Sequence, residues 1–148
     1  MNKRVNHMRL AFDSRSENES FARVVVSAFA VQLSPTIEEI ADIKTAVSEA
    51  VTNAIVHGYA GTFGQVVIEA ELDPEEGLLT LRITDTGCGI ADIEQAMQPF
   101  YTTQPEMERA GMGFAVMKTF MDELEVESKL GQGTCVTMRK RICHDFGA

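Results

Sequence analysis

The order of hydrophobic periods along the chain is the feature that most constrains its fold. An alternating segment at Val5–Phe12 predicts a first strand, placed at the edge of a sheet. Two stripes with helical spacing follow over residues 16–34 and 36–58, and they predict two successive helices. No glycine run lies between the first strand and the first helix, which disfavours a Rossmann or P-loop arrangement.

Four further segments alternate between apolar and polar residues, and they come in pairs joined by short turns. Val66–Leu72 and Leu78–Thr84 form the first pair, and Glu125–Lys129 and Thr134–Ile142 form the second. Strands joined in this way pair as antiparallel hairpins. A third helix is predicted between the pairs, over Gly113–Leu124. The whole pattern predicts an α/β fold, a two-layer sandwich with a mixed, mostly antiparallel sheet and helices on one face.

Each of the first two helices is predicted to begin at a capping box. Ser16-Glu-Asn-Glu19 and Thr36-Ile-Glu-Glu39 both have a hydroxyl residue followed three positions later by glutamate. We expect the first helix to end near Ser34 and the second at Gly58. The apolar stripes expected to face the core are Phe21, Val24, Val25, Ala28, Phe29 and Leu33 in the first helix, and Ile37, Ile40, Ile43, Val47, Val51 and Ile55 in the second.

Length and composition favour one globular domain over residues 1–148, with 143–148 as a disordered end. The formal net charge of −9 argues against binding nucleic acid through its phosphates and suits a basic protein partner. Three cysteines without CxxC spacing suggest neither a disulfide framework nor a zinc site, and read as reduced cytoplasmic thiols. No apolar run of about 18 residues suggests a membrane span.

A polar row in the second helix is the first candidate for chemistry. Glu49, Asn53 and His57 recur every four residues, so a helix places them on one face. An asparagine oxygen suits a magnesium ion that bridges phosphates, and a carboxylate one turn away can act as a general base in phosphoryl transfer. The alternative is the solvated face of an amphipathic helix, with His57 capping its end.

Two glycine motifs are the second candidate. In Asp85-Thr-Gly-Cys-Gly89 the glycines allow backbone to approach a flat ligand, and Asp85 can accept a hydrogen bond from the exocyclic amine of adenine. Gly111 and Gly113 precede a helix whose first N–H groups could meet phosphate oxygens. Ordinary turn chemistry is the alternative for both motifs, and a core role is the alternative for Met112.

Residues 98–110 show no clear period and are predicted to form a lid. Thr102 and Thr103 are either solvated loop residues or phosphate contacts. Arg109 is either a surface charge or a cation over the phosphates.

These motifs together resemble the GHKL ATPase and kinase superfamily, which has the Bergerat fold. Glu49–Gly58 is similar to its N box, Asp85–Gly89 to its first glycine box, Gly111–Phe114 to its second, and Gly131–Thr134 to its glycine-threonine turn. More narrowly, the segments 16–23, 47–55 and 109–114 resemble the anti-sigma factor serine kinases of the sporulation type.

The resemblance implies a homodimeric kinase that holds a sigma factor of the sigma F type inactive when ATP is bound. Such a kinase also phosphorylates a serine on an anti-anti-sigma protein of the STAS type. The resemblance makes Glu49 the general base, Asn53 the ligand of Mg²⁺, and Arg23 a contact for both partners. The residues that it implies for binding ATP or ADP are Asn53, His57, Asp85, Gly87, Gly89, Thr102, Thr103, Arg109, Gly111, Met112, Gly113, Phe114 and Thr134.

Two other functions stay open on the sequence alone. A non-catalytic, nucleotide-gated module could sequester a sigma factor and transfer nothing, although it would not need a base at Glu49. A chaperone-like or mismatch-repair-like ATPase is disfavoured because 148 residues leave no second domain to use the hydrolysis. Autophosphorylation on histidine is disfavoured because the chain is too short for a separate phosphoacceptor hairpin.

Overall fold

A five-stranded sheet forms one layer of the structure, a computed structural model that describes residues 5–90, 97 and 113–142. Its spatial order is β1-β2-β3-β5-β4, and every neighbouring pair is antiparallel. The two-layer α/β prediction is confirmed, but the described sheet is wholly antiparallel rather than mixed, because no described connection is a parallel crossover. The strands are β1 Asn6–Asp13, β2 Gln65–Asp73, β3 Leu78–Asp85, β4 Glu123–Lys129 and β5 Gly133–Arg141.

Only one face of this sheet is apolar. Ile68 of β2 pairs with Ile83 of β3, and Leu81 of β3 pairs with Met138 of β5; all four side chains are buried. Most of the alternate positions carry charged or polar side chains, because successive residues of a strand point to opposite faces. The helices therefore have a single apolar sheet face to cover.

The second helix, α2, begins as its sequence predicts. It spans Ile37–Asn53, and the Thr36 hydroxyl accepts from the Glu39 N–H at 3.0 Å. The Glu39 carboxylate accepts in return from the Thr36 N–H at 2.8 Å, which completes the capping box.

The capping box predicted for the first helix is wrong. This helix, α1, spans Glu17–Ala30, but Ser16 has helical backbone angles and its side chain makes no capping bond. A capping oxygen reaches the next turn only from an extended backbone. The helix ends with a short 3₁₀ turn at Val31–Leu33 and a left-handed Ser34, close to the predicted end.

The buried face of α1 is also not the predicted one. Ala22, Val26 and Ala30 are fully buried, whereas Phe21 and Val24 are 51% and 59% exposed. Of the rest of the predicted stripe, the side chain of Ala28 is exposed and those of Val25, Phe29 and Leu33 are half-buried. The small side chains let α1 lie close to its neighbours, so the larger ones turn outward.

In α2 the predicted stripe is right except at its first residue. Ile43, Val47 and Val51 are fully buried, and Ile40 and Ile55 are half-buried. Ile37 is 91% exposed, because it precedes the point at which the helix reaches the core.

The third helix, α3, spans Gly113–Phe120 and is shorter than predicted. The Lys140 ammonium donates to the Phe120 carbonyl at 2.8 Å and lies 3.6 Å from an oxygen of Asp42 on α2. A cation at this position satisfies a terminal carbonyl and the helix dipole. The chain then turns, and Leu124, predicted as helical, lies in β4.

None of the helices among residues 5–90 and 113–142 is long and apolar enough to cross a membrane.

Candidate functional site

The polar row of α2 lies partly inside the molecule. Glu49 is only 6% exposed, so a solvated face does not describe it. Carboxylates are seldom buried to this degree unless they are paired or functional. Asn53 and His57 are half-buried. The last turn, Ala54–Gly58, is π-helical rather than α-helical, a form that is common at functional sites.

The start of α3 packs directly against this row. A Cβ added to Gly113 would lie 2.8 Å from Nδ2 and 2.9 Å from Oδ1 of Asn53. Any other residue at 113 would therefore push the carboxamide aside. The contact brings the second glycine motif to the same place as Glu49 and Asn53, and Phe114 next to it is buried.

Asp85, at the end of β3, is the other buried carboxylate of the site. It is 6% exposed, and a Cβ on Gly58 would lie 2.8 Å from its Cγ. Burial raises the pKa of Asp85, and backbone N–H groups of Gly87 and Thr134 partly offset that rise. The Asp85 carboxylate thus faces Gly58, at the end of the π-helical turn that follows α2. It is a hydrogen-bond acceptor whose ionised form is only partly solvated.

The loop after Asp85 is held by contacts that ordinary turns lack. A Cβ on Gly87 would lie 1.8 Å from the Gly58 carbonyl oxygen, so only glycine fits there. The Cys88 N–H donates to that same oxygen at 2.7 Å, and its thiol donates to the His57 carbonyl at 3.0 Å. The first glycine motif is therefore bound to the end of the polar row.

Two hydroxyl groups, neither predicted from the sequence, hold the two ends of this loop. Tyr59 Oη accepts from the Thr86 N–H at 2.8 Å and donates to the Gln65 carbonyl at 2.6 Å. At the other end, Ser128 Oγ accepts from the Ile90 N–H at 2.7 Å. Neither residue belongs to a motif, and only the pairing of distant segments shows their role.

Thr134 lies beside Asp85. The two residues are partners in the β3–β5 register, and Thr134 is buried, with 8% of its surface exposed. Gly133 before it has a φ of +99°, and a Cβ there would lie 2.1 Å from the Asp85 carbonyl oxygen. A left-handed glycine is thus required to bring Thr134 next to the carboxylate.

Gly89 has a φ of +75°, and a Cβ there would lie 2.2 Å from the Lys129 carbonyl oxygen. This close approach binds the loop to the β4–β5 turn.

Five predicted site residues, together with the predicted lid, lie outside the described residues: Thr102, Thr103, Arg109, Gly111 and Met112.

Arg23 lies on α1 at the boundary with α2. Its Nη1 donates to Ser48 Oγ at 3.5 Å, and its Nε lies 3.9 Å from an oxygen of Glu19. The Arg23 side chain is 39% exposed. An accessible guanidinium is therefore anchored one residue away from Glu49.

Residues 12–140 match the histidine kinase-like ATPase domain family. The anti-sigma F factor of Thermoanaerobacter sp. (strain X514) is 62% identical over 140 residues, which cover 95% of this chain and 96% of that protein. The chain belongs to the histidine kinase-like ATPases and, among them, to the anti-sigma F factors. The anti-sigma F factor of Caldanaerobacter subterraneus subsp. tengcongensis is 61% identical over 93% of this chain and 94% of its own length.

A solved structure of the RsbU and RsbW domains of a Mycobacterium tuberculosis protein has the same fold. Its TM-score is 0.66 at 21% identity, over 93% of this chain and 32% of that one. The family accounts for nucleotide binding and for the grouping of the polar row with the glycine motifs.

The described residues fit a magnesium ion that is held mainly by phosphates. Among residues 5–90, 97 and 113–142, no group of three or more acidic, histidine or cysteine side chains could form an all-protein cage. Mg²⁺ usually keeps several waters and takes one or two protein ligands together with phosphate oxygens. The amide oxygen of Asn53, beside Gly113, is suited to that single position.

Proposed function

We propose that this protein is an ATP-dependent anti-sigma factor. With ATP bound it holds a sporulation sigma factor of the sigma F type, and it phosphorylates a serine of the STAS-type anti-anti-sigma protein that opposes it. The single observation that carries the kinase part is the burial of Glu49 one turn before Asn53, in a helix whose end meets Asp85. A module that only sequesters its partner has no need for a buried carboxylate there.

Each residue of the site has a separate task in this proposal. Glu49 accepts the proton of the attacking serine hydroxyl, and Asn53 binds the magnesium ion. The ion, when bound, neutralises charge on the phosphates. Asp85 accepts from the exocyclic amine of adenine, and the remaining pocket residues are His57, Gly87, Gly89, Gly113, Phe114 and Thr134. Thr102, Thr103, Arg109, Gly111 and Met112 keep their sequence-based roles around the phosphates.

The partner surface in this proposal is centred on α1. Arg23 is accessible there, and the exposed Phe21 and Val24 lie on the same helix. Apolar side chains at half exposure beside a charge are typical of a protein contact. A net charge of −9 suits a basic partner such as a protein that itself binds DNA. We expect these partners to meet in the cytoplasm, because both act on transcription.

A homodimer is part of the proposal. The strand β1 has a neighbour on one side only within the described sheet, so its outer edge can pair with a second copy.

Phosphate transfer tests the proposal. Wild-type protein, labelled ATP and Mg²⁺ are incubated with a STAS-type protein from a gene adjacent to a sigma factor gene, and the labelled residue is identified. We expect labelled serine, and a rate reduced roughly a hundredfold or more in Glu49→Gln, because the base is lost while the side-chain volume is kept. Glu38→Gln, on the exposed first turn of the same helix, is the matched control and should leave the rate unchanged.

Two results would contradict this assignment. Equal rates for wild type and Glu49→Gln would exclude Glu49 as the base. ATP binding and sigma-factor capture without any labelled serine would replace the kinase by the non-catalytic, nucleotide-gated module.

A further inference from the structure

The hydroxyl of Ser128 makes three hydrogen bonds at the edge of the proposed base pocket. It lies 2.7 Å from the Ile90 nitrogen, 2.9 Å from the Gly133 carbonyl oxygen and 2.8 Å from Thr134 Oγ1. Its three partners come from two segments of the chain, namely the loop after β3 and the first two residues of β5. Ser128 itself is half-buried in β4.

Counting protons determines the direction of each bond. A serine hydroxyl has one hydrogen and two lone pairs, a backbone N–H can only donate, and a carbonyl can only accept. The Ile90 N–H therefore donates to Ser128, and Ser128 must donate its one hydrogen to Gly133. Because Ser128 has no second hydrogen, its contact with Thr134 is a hydrogen bond only if the Thr134 hydroxyl donates to Ser128.

Thr134 consequently has lone pairs but no free hydrogen for any other partner. Thr134 and Asp85 are neighbours in the β3–β5 register, on the face of the sheet that the helices cover. Residues paired in this way have side chains on the same face and close together. Asp85 is an acceptor, and Thr134 is a second acceptor beside it.

We propose that Ser128 is a specificity-determining positioning residue, which holds the Thr134 hydroxyl as an acceptor so that the pocket selects a 6-amino purine over a 6-oxo purine. The inference rests on the proposed function, because it takes Asp85 as the group that reads the base. The 6-amino group of adenine offers two hydrogens to two acceptors. The 6-oxo group of hypoxanthine offers only lone pairs, which leaves buried acceptors facing an acceptor.

Removing the Ser128 hydroxyl should weaken this discrimination. In Ser128→Ala the Thr134 hydroxyl has lost its acceptor and is free to rotate and donate to a 6-oxo group. The protein then accommodates either base, at the cost of one well-placed hydrogen bond to adenine.

The test compares the dissociation constants of ATP and ITP, which differ in the 6-substituent of the purine and in the hydrogen that ITP carries on N1. The wild type should prefer ATP, and Ser128→Ala should reduce that preference roughly three- to tenfold, the usual weight of one or two hydrogen bonds. Ser128→Thr, which retains a hydroxyl, should restore it. Tyr59→Phe is the matched control, because it frees the other end of the same loop without touching Thr134; it should weaken ATP and ITP equally.

The ratio is measured on one preparation, so partial loss of folded protein does not affect it. Ser128→Cys, whose thiol is a weak donor and acceptor, serves as a second variant with the same expected direction. An unchanged ratio in both Ser128→Ala and Ser128→Cys would overturn the inference. So would an equal fall of the ratio in Tyr59→Phe, since loosening the loop would then explain it.

Asp85→Asn separates this inference from the function on which it rests. If Asp85→Asn abolishes the ATP preference and Ser128→Ala does not, only the role of Ser128 is wrong. If the wild type binds ATP and ITP equally, or Asp85→Asn leaves the preference intact, base reading by Asp85 is wrong as well.

Discussion

The two long helices share a sequence pattern but occupy different positions in the fold. Both follow a hydroxyl residue with glutamate three positions later, and both have apolar residues at helical spacing. In α2 the cap forms, the large apolar side chains are buried, and Glu49 is buried beside them. In α1 the cap is absent, small residues are buried, and Phe21 and Val24 are exposed.

The difference shows that neighbours, and not periodicity, decide which stripe of a helix is buried. The helix α2 packs against α1 on one side and α3 on the other, and its end reaches Asp85. The helix α1 packs mainly against α2, so a wide arc of its surface has no neighbour among the described residues. We therefore regard α2 as the helix of the site and α1 as the helix of the partner surface.

The largest expected effect on stability is at a buried valine of α2, and the same substitution at an exposed valine of α1 is its comparison. Val47→Ala in α2 should lower the free energy of unfolding by about 2–3 kcal/mol, because it opens a cavity at a fully buried position. Val24→Ala in α1 should change it by less than about 0.5 kcal/mol, because that side chain is exposed. Urea unfolding measures both, and Val26→Ala, on the buried side of α1, should behave like Val47→Ala. Equal losses in the free energy of unfolding for Val24→Ala and Val47→Ala would contradict this difference between the two helices.

The two predicted caps provide a smaller contrast. Thr36→Ala should lower the free energy of unfolding by about 1 kcal/mol, the usual contribution of a side-chain N-cap. Ser16→Ala should have almost no effect, since its hydroxyl makes no capping bond. Denaturant midpoints of the two variants against wild type check this, and a loss at Ser16 as large as at Thr36 would restore the capping box that the sequence predicts.

Asp85, at the end of β3, should reduce stability near neutral pH. Burial raises the folded-state pKa of Asp85 above its ordinary value of 3.8, so ionising it opposes folding as the pH rises through that raised pKa. Asp85→Asn, although defective in nucleotide binding, should therefore be slightly more stable than wild type at pH 7. The difference should shrink as the pH falls and vanish below 3.8, where Asp85 is protonated in both the folded and the unfolded state. Urea unfolding at several pH values tests this, and a variant less stable than wild type at pH 7 would show that lost hydrogen bonds dominate.

The smallest effect on folding is expected on the outer side of α1. Replacing Phe21 and Val24 together by serine should barely change the free energy of unfolding but should weaken capture of the sigma factor. The dissociation constant of the complex with the sigma factor, measured with ATP bound, gives the size of the loss. Lys44→Ser, at an exposed position of α2, is the control. A double variant that captures the sigma factor as tightly as wild type would remove these two side chains from the proposed partner surface.

Much of the site could be predicted from the sequence, because each of its motifs is formed by residues close together in the chain. Thr36 caps α2 through residues within one turn, and Asp85 is the last residue of a strand whose alternation is clear. The row Glu49, Asn53 and His57 was found by spacing alone. The residues that hold these parts together were missed, since Tyr59 and Ser128 act on partners 27 and 38 positions away. Nothing in the local pattern distinguishes a tyrosine that binds a distant loop from one in an ordinary core.

The sequence by itself determined the elements and their chemistry, namely the two layers, the hairpins, the cap of α2, and the carboxylates and glycines of the motifs. These depend on periodicity, turn residues and side-chain type, which adjacent residues specify. Only the tertiary structure decided which face of α1 is buried, that Glu49 and Asp85 are both withdrawn from water, and that Gly113 meets Asn53. Burial and contact depend on what the rest of the chain places opposite each residue, and that information is spread over segments far apart in the sequence.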